Sequence, residues 1–220
     1  MTHRPVRALC IVLAVLLGAG CAAQRPVPAD REAAGQALRA ELRAFHAWRA
    51  EGRLVVRTRD DGGQAGFTWI ERPDGGFRLR LAGPWGQGAA RLQGGRGRAE
   101  LVTGDGYRYT GPDARALLAG VYGWEIPVNG LRRWLLGLPD ADADFTLDRF
   151  GRLATLDWHE WHVEYRRYRR VDGLDLPAVL MATARGGQTE VRVAIDSWRL
   201  GTGQDQEAPV PDSPVPLMGG

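Results

Sequence analysis

The 220-residue chain contains no lysine; all 29 of its basic residues are arginine. A GC-rich coding sequence produces that bias as readily as a need for phosphate contacts, so it carries no functional weight. Cysteine is almost as scarce. Cys10 and Cys21 are the only two, both within the first 21 residues, which excludes a disulfide framework and a cysteine-ligated zinc site from the rest of the chain. Charge of one sign is missing as well. The net charge is +3, and removing residues 1–20 with Arg4 and Arg7 leaves 27 Arg against 26 acids. A nucleic-acid binder needs a clustered excess, so the sequence pI near 9.2 does not announce one. The amino-terminal apolar run, Ala8–Leu17, has ten residues, too short for a bilayer core of about 30 Å. Aromatic residues, by contrast, are plentiful. Eight Trp, five Tyr and five Phe in a chain that is 44% hydrophobic supply a core for one domain and exclude disorder throughout.

Arg4 and Arg7 precede the apolar run Ala8–Leu17, which ends at Gly18-Ala19-Gly20-Cys21. Those flanks and that length suit a signal-peptide core. A Cys directly after small residues resembles a bacterial lipobox, in which the thiol is diacylated, the leader is cut before the Cys, and the new amine is acylated. Leu usually stands three residues before that Cys; here Gly18 does, with Leu17 one step further back. The alternative is an ordinary secretory signal cut near Ala22–Ala23, with Cys21 lost. A Cys at this place is otherwise hard to explain in an exported chain. Residues 1–20 therefore read as a lipoprotein signal peptide, Cys21 as the lipidation site, and residues 21–29 as a Pro-bearing tether. Two or three acyl chains, at about 0.8 kcal/mol per buried methylene, anchor stably where one would be marginal. Ala22, where an inner-membrane lipoprotein usually has Asp, implies sorting to the outer membrane.

The domain spans residues 30–201. Asp30 is a good N-cap, and Ala34, Leu38, Leu42, Phe45 and Trp48 recur at spacings of four and three, predicting an amphipathic helix that Gly52 ends. From Arg53 the period becomes two. Leu54, Val56 and Thr58 alternate with Arg53, Val55 and Arg57, and Phe77, Leu79 and Leu81 with Arg78 and Arg80. Asp61-Gly62-Gly63, Pro73-Asp74-Gly75-Gly76 and Gly104-Asp105-Gly106 punctuate these runs as turns, so a meander of antiparallel strands reaches about Thr110. Two helical pieces follow, Asp113–Tyr122 and Asn129–Leu136. Strands resume with Phe145–Leu147, Leu153–Trp158, Val163–Tyr168, Val179–Thr183 and Val191–Ile195. Residues 202–220, rich in proline and poor in apolar groups, read as a disordered tail. The fold class is mainly β: a curved antiparallel sheet with helices over its concave face, and a ligand site inside it.

Catalytic patterns are weak. His159 and His162 stand three apart at a strand junction, where they would point to opposite faces of a strand, and the zinc-protease pattern needs a helix with four-residue spacing. A solvated hairpin turn explains them. Arg166-Arg167-Tyr168-Arg169-Arg170 reads as a solvated strand end rather than an RNA site. Gly94-Gly95-Arg96-Gly97 lacks the Lys-Ser/Thr of a phosphate loop, and no Ser occupies a nucleophile elbow. No catalytic residue, metal site or cofactor is expected, and the chain is not read as an enzyme. Gly83-Pro84-Trp85-Gly86 has the Pro and Gly placement of a type I turn. Two readings of Trp85 stay open: a tip residue presented to a membrane interface, or a loop Trp folded back on the core.

The stretch Leu79–Leu92 (LRLAGPWGQGAARL), Gly123-Trp124-Glu125-Ile126-Pro127-Val128, and Leu131 to Pro139 (LRRWLLGLP) resemble the LolB family of outer-membrane lipoprotein receptors. Gly151-Arg152-Leu153, Trp161 to Tyr165 (WHVEY) and Ile195-Asp196-Ser197-Trp198 extend the resemblance over roughly Leu42–Leu200. It implies a half-open antiparallel β-barrel, with an N-terminal helix and short helices covering an apolar cavity. It further implies a lipid-anchored outer-membrane receptor facing the periplasm. Such a receptor accepts acylated lipoprotein cargo from a soluble LolA-like periplasmic carrier and inserts it into outer-membrane lipid. A monomer is expected, with no nucleic acid. In the family a protruding loop bears an exposed apolar residue, usually Leu, for the insertion step, and Pro84, Trp85 and Gly86 match that loop. Among inward positions, Trp69, Leu79, Leu92, Trp124 and Trp134 are candidate cavity-wall or lid residues. A structural or scaffolding lipoprotein that binds a partner protein is the alternative, and a hydrolase of envelope lipids a weaker third.

Overall fold

The computed structural model describes residues 28–83, 89–95 and 97–201. Cys21 with the expected signal peptide, Pro84, Trp85 and Gly86 of the expected turn, and the expected tail 202–220 lie outside the described residues.

Helix α1 (Pro28–Arg43) opens with proline, whose missing N–H costs nothing in a first turn, and Asp30 lies inside that turn rather than capping it. Its docked side carries Gly35, Arg39 and Leu42 while Ala34 is exposed, so the buried stripe is displaced from the apolar spacing. The reason is a close approach. A Cβ on Gly35 would stand 2.3 Å from the carbonyl oxygen of Gly151, itself at φ +81 in a turn that L side chains rarely adopt. The helix stops at Arg43, and Phe45 and Trp48 do not belong to it. Trp48 is in strand β1 (Ala47–Thr58), because ladders to strands on both sides outweigh the helical spacing there. Gly52, predicted to end the helix, sits mid-strand, where a Cβ would stand 2.0 Å from the Ala194 carbonyl oxygen.

A meander continues through β2 (Gly62–Glu71), β3 (Phe77–Ala82), β4 (Ala90–Gly95), β5 (Arg98–Val102) and β6 (Arg108–Gly111). Helices α2 (Ala114–Tyr122) and α3 (Val128–Leu135) come next. Then follow β7 (Asp144–Leu147), β8 (Leu153–Trp158), β9 (Trp161–Val171), β10 (Leu174–Ala184) and β11 (Thr189–Gly201). The eleven strands form one sheet in the order β6-β5-β4-β3-β2-β1-β11-β10-β9-β8-β7. Every pairing is antiparallel, and β1 with β11 joins the two halves of the meander. The sheet is not closed. Its edges β6 and β7 have four residues each and carry exposed Arg108 and Asp144, a short and charged form that discourages further pairing. The helical segment runs between those two edge strands in sequence and roofs the concave face.

Alternate residues of the inner strands point into that face, where Phe67, Trp69, Leu79, Leu81, Leu92 and Leu101 are buried, while Arg78, Arg91 and Arg192 face solvent on the other. Two irregularities keep the inward pattern in phase. Opposite Glu51 and Gly52 the register skips Asp196, so Ile195 and Trp198, three apart, are both buried. In β10 the register shifts around Pro177, a residue that central strands tolerate only at such bulges. Asp113, expected as the first residue of this helix, is its N-cap instead, its Oδ1 accepting from the Ala116 amide at 2.8 Å.

Candidate lipid-binding cavity

The interior has two ends, and β2 shows them. Gly62 to Gln64 are exposed or half-buried, whereas Trp69, Ile70 and Glu71 are buried. At the deep end Trp198, Trp48, Trp69 and Phe77 form a chain across β11, β1, β2 and β3, with successive ring centroids 5.5, 6.1 and 5.4 Å apart. Glu71 stands beside it. It accepts from Arg132 Nε at 3.0 Å, from Arg132 Nη2, and from the Trp69 indole at 3.4 Å. Arg132 also donates to the Gly75 carbonyl at 2.9 Å and lies over the Phe77 ring. One arginine thus ties α3 to the β2–β3 turn. Burial pushes the Glu71 carboxyl above its ordinary range, and Arg132 opposes that without reversing it.

Between this latch and the shallow end lies a cavity of about 40 Å³. The sheet contributes Leu54, Phe67, Trp69, Leu79 and Val193 among others, and the roof contributes Leu118, Trp124, Ile126, Leu131 and Leu135. Leu131 and Leu135 meet it together because they are four apart on α3. The connection that carries Trp124 is set by Gly123. At φ +69 this residue ends α2, with its amide donating to the Ala119 carbonyl and the Trp124 amide to that of Leu118. The wall offers no ionisable group. It can hold apolar chains by exclusion of water.

Of the five candidate wall residues, the structure brings Trp69, Leu79 and Trp124 together around the cavity. Leu92 is buried one strand further on, opposite Leu79 and Leu101 in the packed part of the sheet. Trp134 is on α3 but turns away: its indole donates to Asp140 at 2.9 Å and its ring packs against Trp158 and Trp161. Burial raises the Asp140 pKa, with the Trp134 and Arg133 contacts pulling the other way. Phe67 and Leu135 were not among the candidate wall residues, although Phe67 is one strand period from Trp69 and Leu135 adjoins Trp134. The Glu71–Arg132 pair had no local signal, since its partners are 61 positions apart. His159 Nε2, at the β8–β9 turn, stands 3.8 Å from Asp142, and His162 Nδ1, on β9, 2.9 Å from Asp157; neither residue lines the cavity. The arginines of 166–170 lie on β9, Arg166 paired with Glu164 and Arg170 3.7 Å from Asp175.

An unclosed antiparallel sheet roofed by two short helices over an apolar cavity defines a class of proteins that can shelter apolar groups from water. Known proteins make the assignment more specific. A family model described as outer membrane lipoprotein LolB matches residues 46–198. An outer-membrane lipoprotein LolB of Halorhodospira halophila is 36% identical over 196 residues, covering 87% of this chain and 94% of the relative. That of Alkalilimnicola ehrlichii is 36% identical over 197 residues, covering 88% and 97%. Among solved structures, a Vibrio parahaemolyticus domain described as an outer membrane lipoprotein-sorting protein superposes with a TM-score of 0.51. It covers 79% of this chain and 93% of that one, and at 11% identity it speaks for the fold alone. The chain belongs to the LolB family of outer-membrane lipoproteins.

Proposed function

We propose that this chain, anchored in the outer membrane through lipidated Cys21, accepts lipoproteins from a soluble LolA-like periplasmic carrier and inserts them into the outer membrane. The observation that carries the reading is the cavity, whose wall is apolar throughout, in a member of this family. At about 40 Å³ it has room for a few water-sized groups and not for an acyl chain. Cargo acceptance therefore moves the roof away from the sheet. Most of the roof is held by apolar contacts, which are non-directional, so an incoming chain replaces them in kind. The polar latch at Arg132 and Glu71 keeps α3 hinged at the deep end while the shallow end opens. No covalent step is needed. Transfer runs downhill as each successive site holds the chains more tightly than the last, and the bilayer most tightly.

Delivery is assigned to the segment between Ala82 of β3 and Ala90 of β4, which carries Pro84, Trp85 and Gly86. An apolar residue there enters the headgroup region, with an indole in place of the usual Leu. The receptor acts as a monomer. The direct test uses the mature chain with Cys21→Ala, mixed with an acylated lipoprotein held by its carrier. Cargo should move to this soluble form, because the cavity is built from residues beyond the tether. If no cargo leaves the carrier, the receptor reading fails.

A further inference from the structure

Among the described residues, the Trp124 indole differs from its neighbours in one respect. Trp69, Trp134, Trp158 and Trp198 each donate their N–H to an oxygen at 2.9 to 3.4 Å. Trp124 Nε1 is buried and has no acceptor. Its ring lines the closed cavity with carbon alone, and it is the proposed outward movement of the roof that brings this unmet donor to the wall. A free protein gains nothing from this arrangement, since a buried donor without a partner is penalised.

Its place along the cavity is informative. A Cβ on Gly63 would lie 3.5 Å from Trp124 Cζ2 and Cη2, which puts the ring over the exposed end of β2. Trp69, at the deep end, is six residues along the same strand, about 20 Å away at strand rise. That distance is on the scale of an extended fatty-acyl chain. The ring is held to α2 and moves with the roof: the Trp124 amide donates to the Leu118 carbonyl, and Tyr122 packs beside the ring at 5.2 Å between centroids. A chain lying with its tail toward Trp69 and its head at the mouth brings its linkage to the cavity end that Trp124 occupies. The acceptor that suits one unassisted N–H is neutral. A phosphate or carboxylate would shed far more hydration than a single donor replaces, whereas an ester or amide carbonyl needs one partner.

We propose that Trp124 Nε1 donates a hydrogen bond to a carbonyl oxygen in the ester or amide linkage of the cargo lipid, so that the cavity prefers acyl chains to plain alkyl chains. This rests on the cavity being the acyl-chain site, and the experiment separates the two. The mature chain with Cys21→Ala is titrated with two synthetic lipopeptides, one bearing diacylglyceryl-cysteine and the other its dialkyl-ether counterpart, which lacks both carbonyls. Binding is read by displacement of an anilinonaphthalene dye. The ester form should bind roughly five- to tenfold tighter than the ether form, the effect of one hydrogen bond. Trp124→Phe should abolish the preference, bringing the ratio of ester to ether affinity to about one, as it removes the N–H and keeps an aromatic ring. In the protein that retains Trp124, the indole ¹⁵N–¹H resonance should move downfield with the ester lipopeptide and not with the ether, a readout that survives if the variant folds poorly. Equal binding of both forms, a preference that persists in Trp124→Phe, or an indole resonance indifferent to linkage overturns the inference and leaves the cavity reading intact. Failure of both lipopeptides to displace the dye overturns both.

Discussion

Glu71 and Arg132 set burial against pairing within one pair of side chains. The carboxylate has three donors, yet its pKa stands above its ordinary value because burial is the larger effect. The consequence for stability follows from proton uptake. A carboxyl whose native pKa is raised favours the folded state most below its unfolded pKa, and that contribution is lost as pH rises through the native value. Glu71→Gln keeps an acceptor for Arg132 and Trp69 and removes the titration. The melting temperature of the wild type relative to this variant should therefore be most favourable near about pH 4 and decline toward neutrality. A rise over the same interval would show that the ion pair outweighs burial. Arg132→Ala leaves the carboxylate without its main partner, at a cost of roughly 2–4 kcal/mol, since the pair is largely but not wholly buried. None of this was legible in the chain as read, because what matters about Glu71 is contributed by α3 from 61 positions away.

Elements were easier to read than their ends. The meander, the α2–α3 insertion and the return to strands were all apparent, because period two, period 3.6 and Gly-rich turns are local signals. Leu153–Trp158 even has the predicted bounds. The errors share a cause, which is contact between elements. Strands β9, β10 and β11 run well beyond the predicted segments, since pairing on both sides extends them through charged residues, a proline and a bulge. Helix α1 ends early for the same reason. Its docking on Gly151 also reverses a familiar expectation. Gly→Ala within a helix normally gains up to about 1 kcal/mol. At Gly35 the added Cβ would stand 2.3 Å from a carbonyl oxygen of the backbone and 2.9 Å from Arg39 Nη1, so the helix must lift from the turn. Gly35→Ala should therefore lower stability by about 1–3 kcal/mol, seen as a lower melting temperature and faster proteolysis near α1. A more stable variant would mean that the helix is free to shift.

At the scale of the molecule, accepting a chain and delivering it place opposite demands on apolar surface: the first needs it enclosed, the second needs it presented to lipid. We propose that they fall to different stretches of the chain, acceptance to the wall supplied by the sheet with α2 and α3, and delivery to the segment between β3 and β4. The family resemblance rested on sequence that serves both, the GW-x-x-PV connection in the roof and the LAGPWGQG stretch around Trp85. The cavity itself was not legible, because alternation says which face a residue takes and not whether neighbours fill the space in front of it. Trp85→Glu tests the separation. Cargo acceptance depends on the enclosed wall, to which residue 85 is not assigned, so the variant should take lipoprotein from the carrier at the wild-type level. Delivery requires the segment to enter the headgroup region, where a carboxylate is penalised by a few kcal/mol, so insertion into liposomes should fall by orders of magnitude. Trp85→Leu should restore it, since an apolar side chain of different size still partitions into the interface. Melting temperature, cargo binding and liposome insertion measured on the same three proteins decide the matter. A Trp85→Glu protein that melts several degrees lower and loses both steps places Trp85 in the core; one that folds and still inserts cargo normally removes the segment from the delivery step.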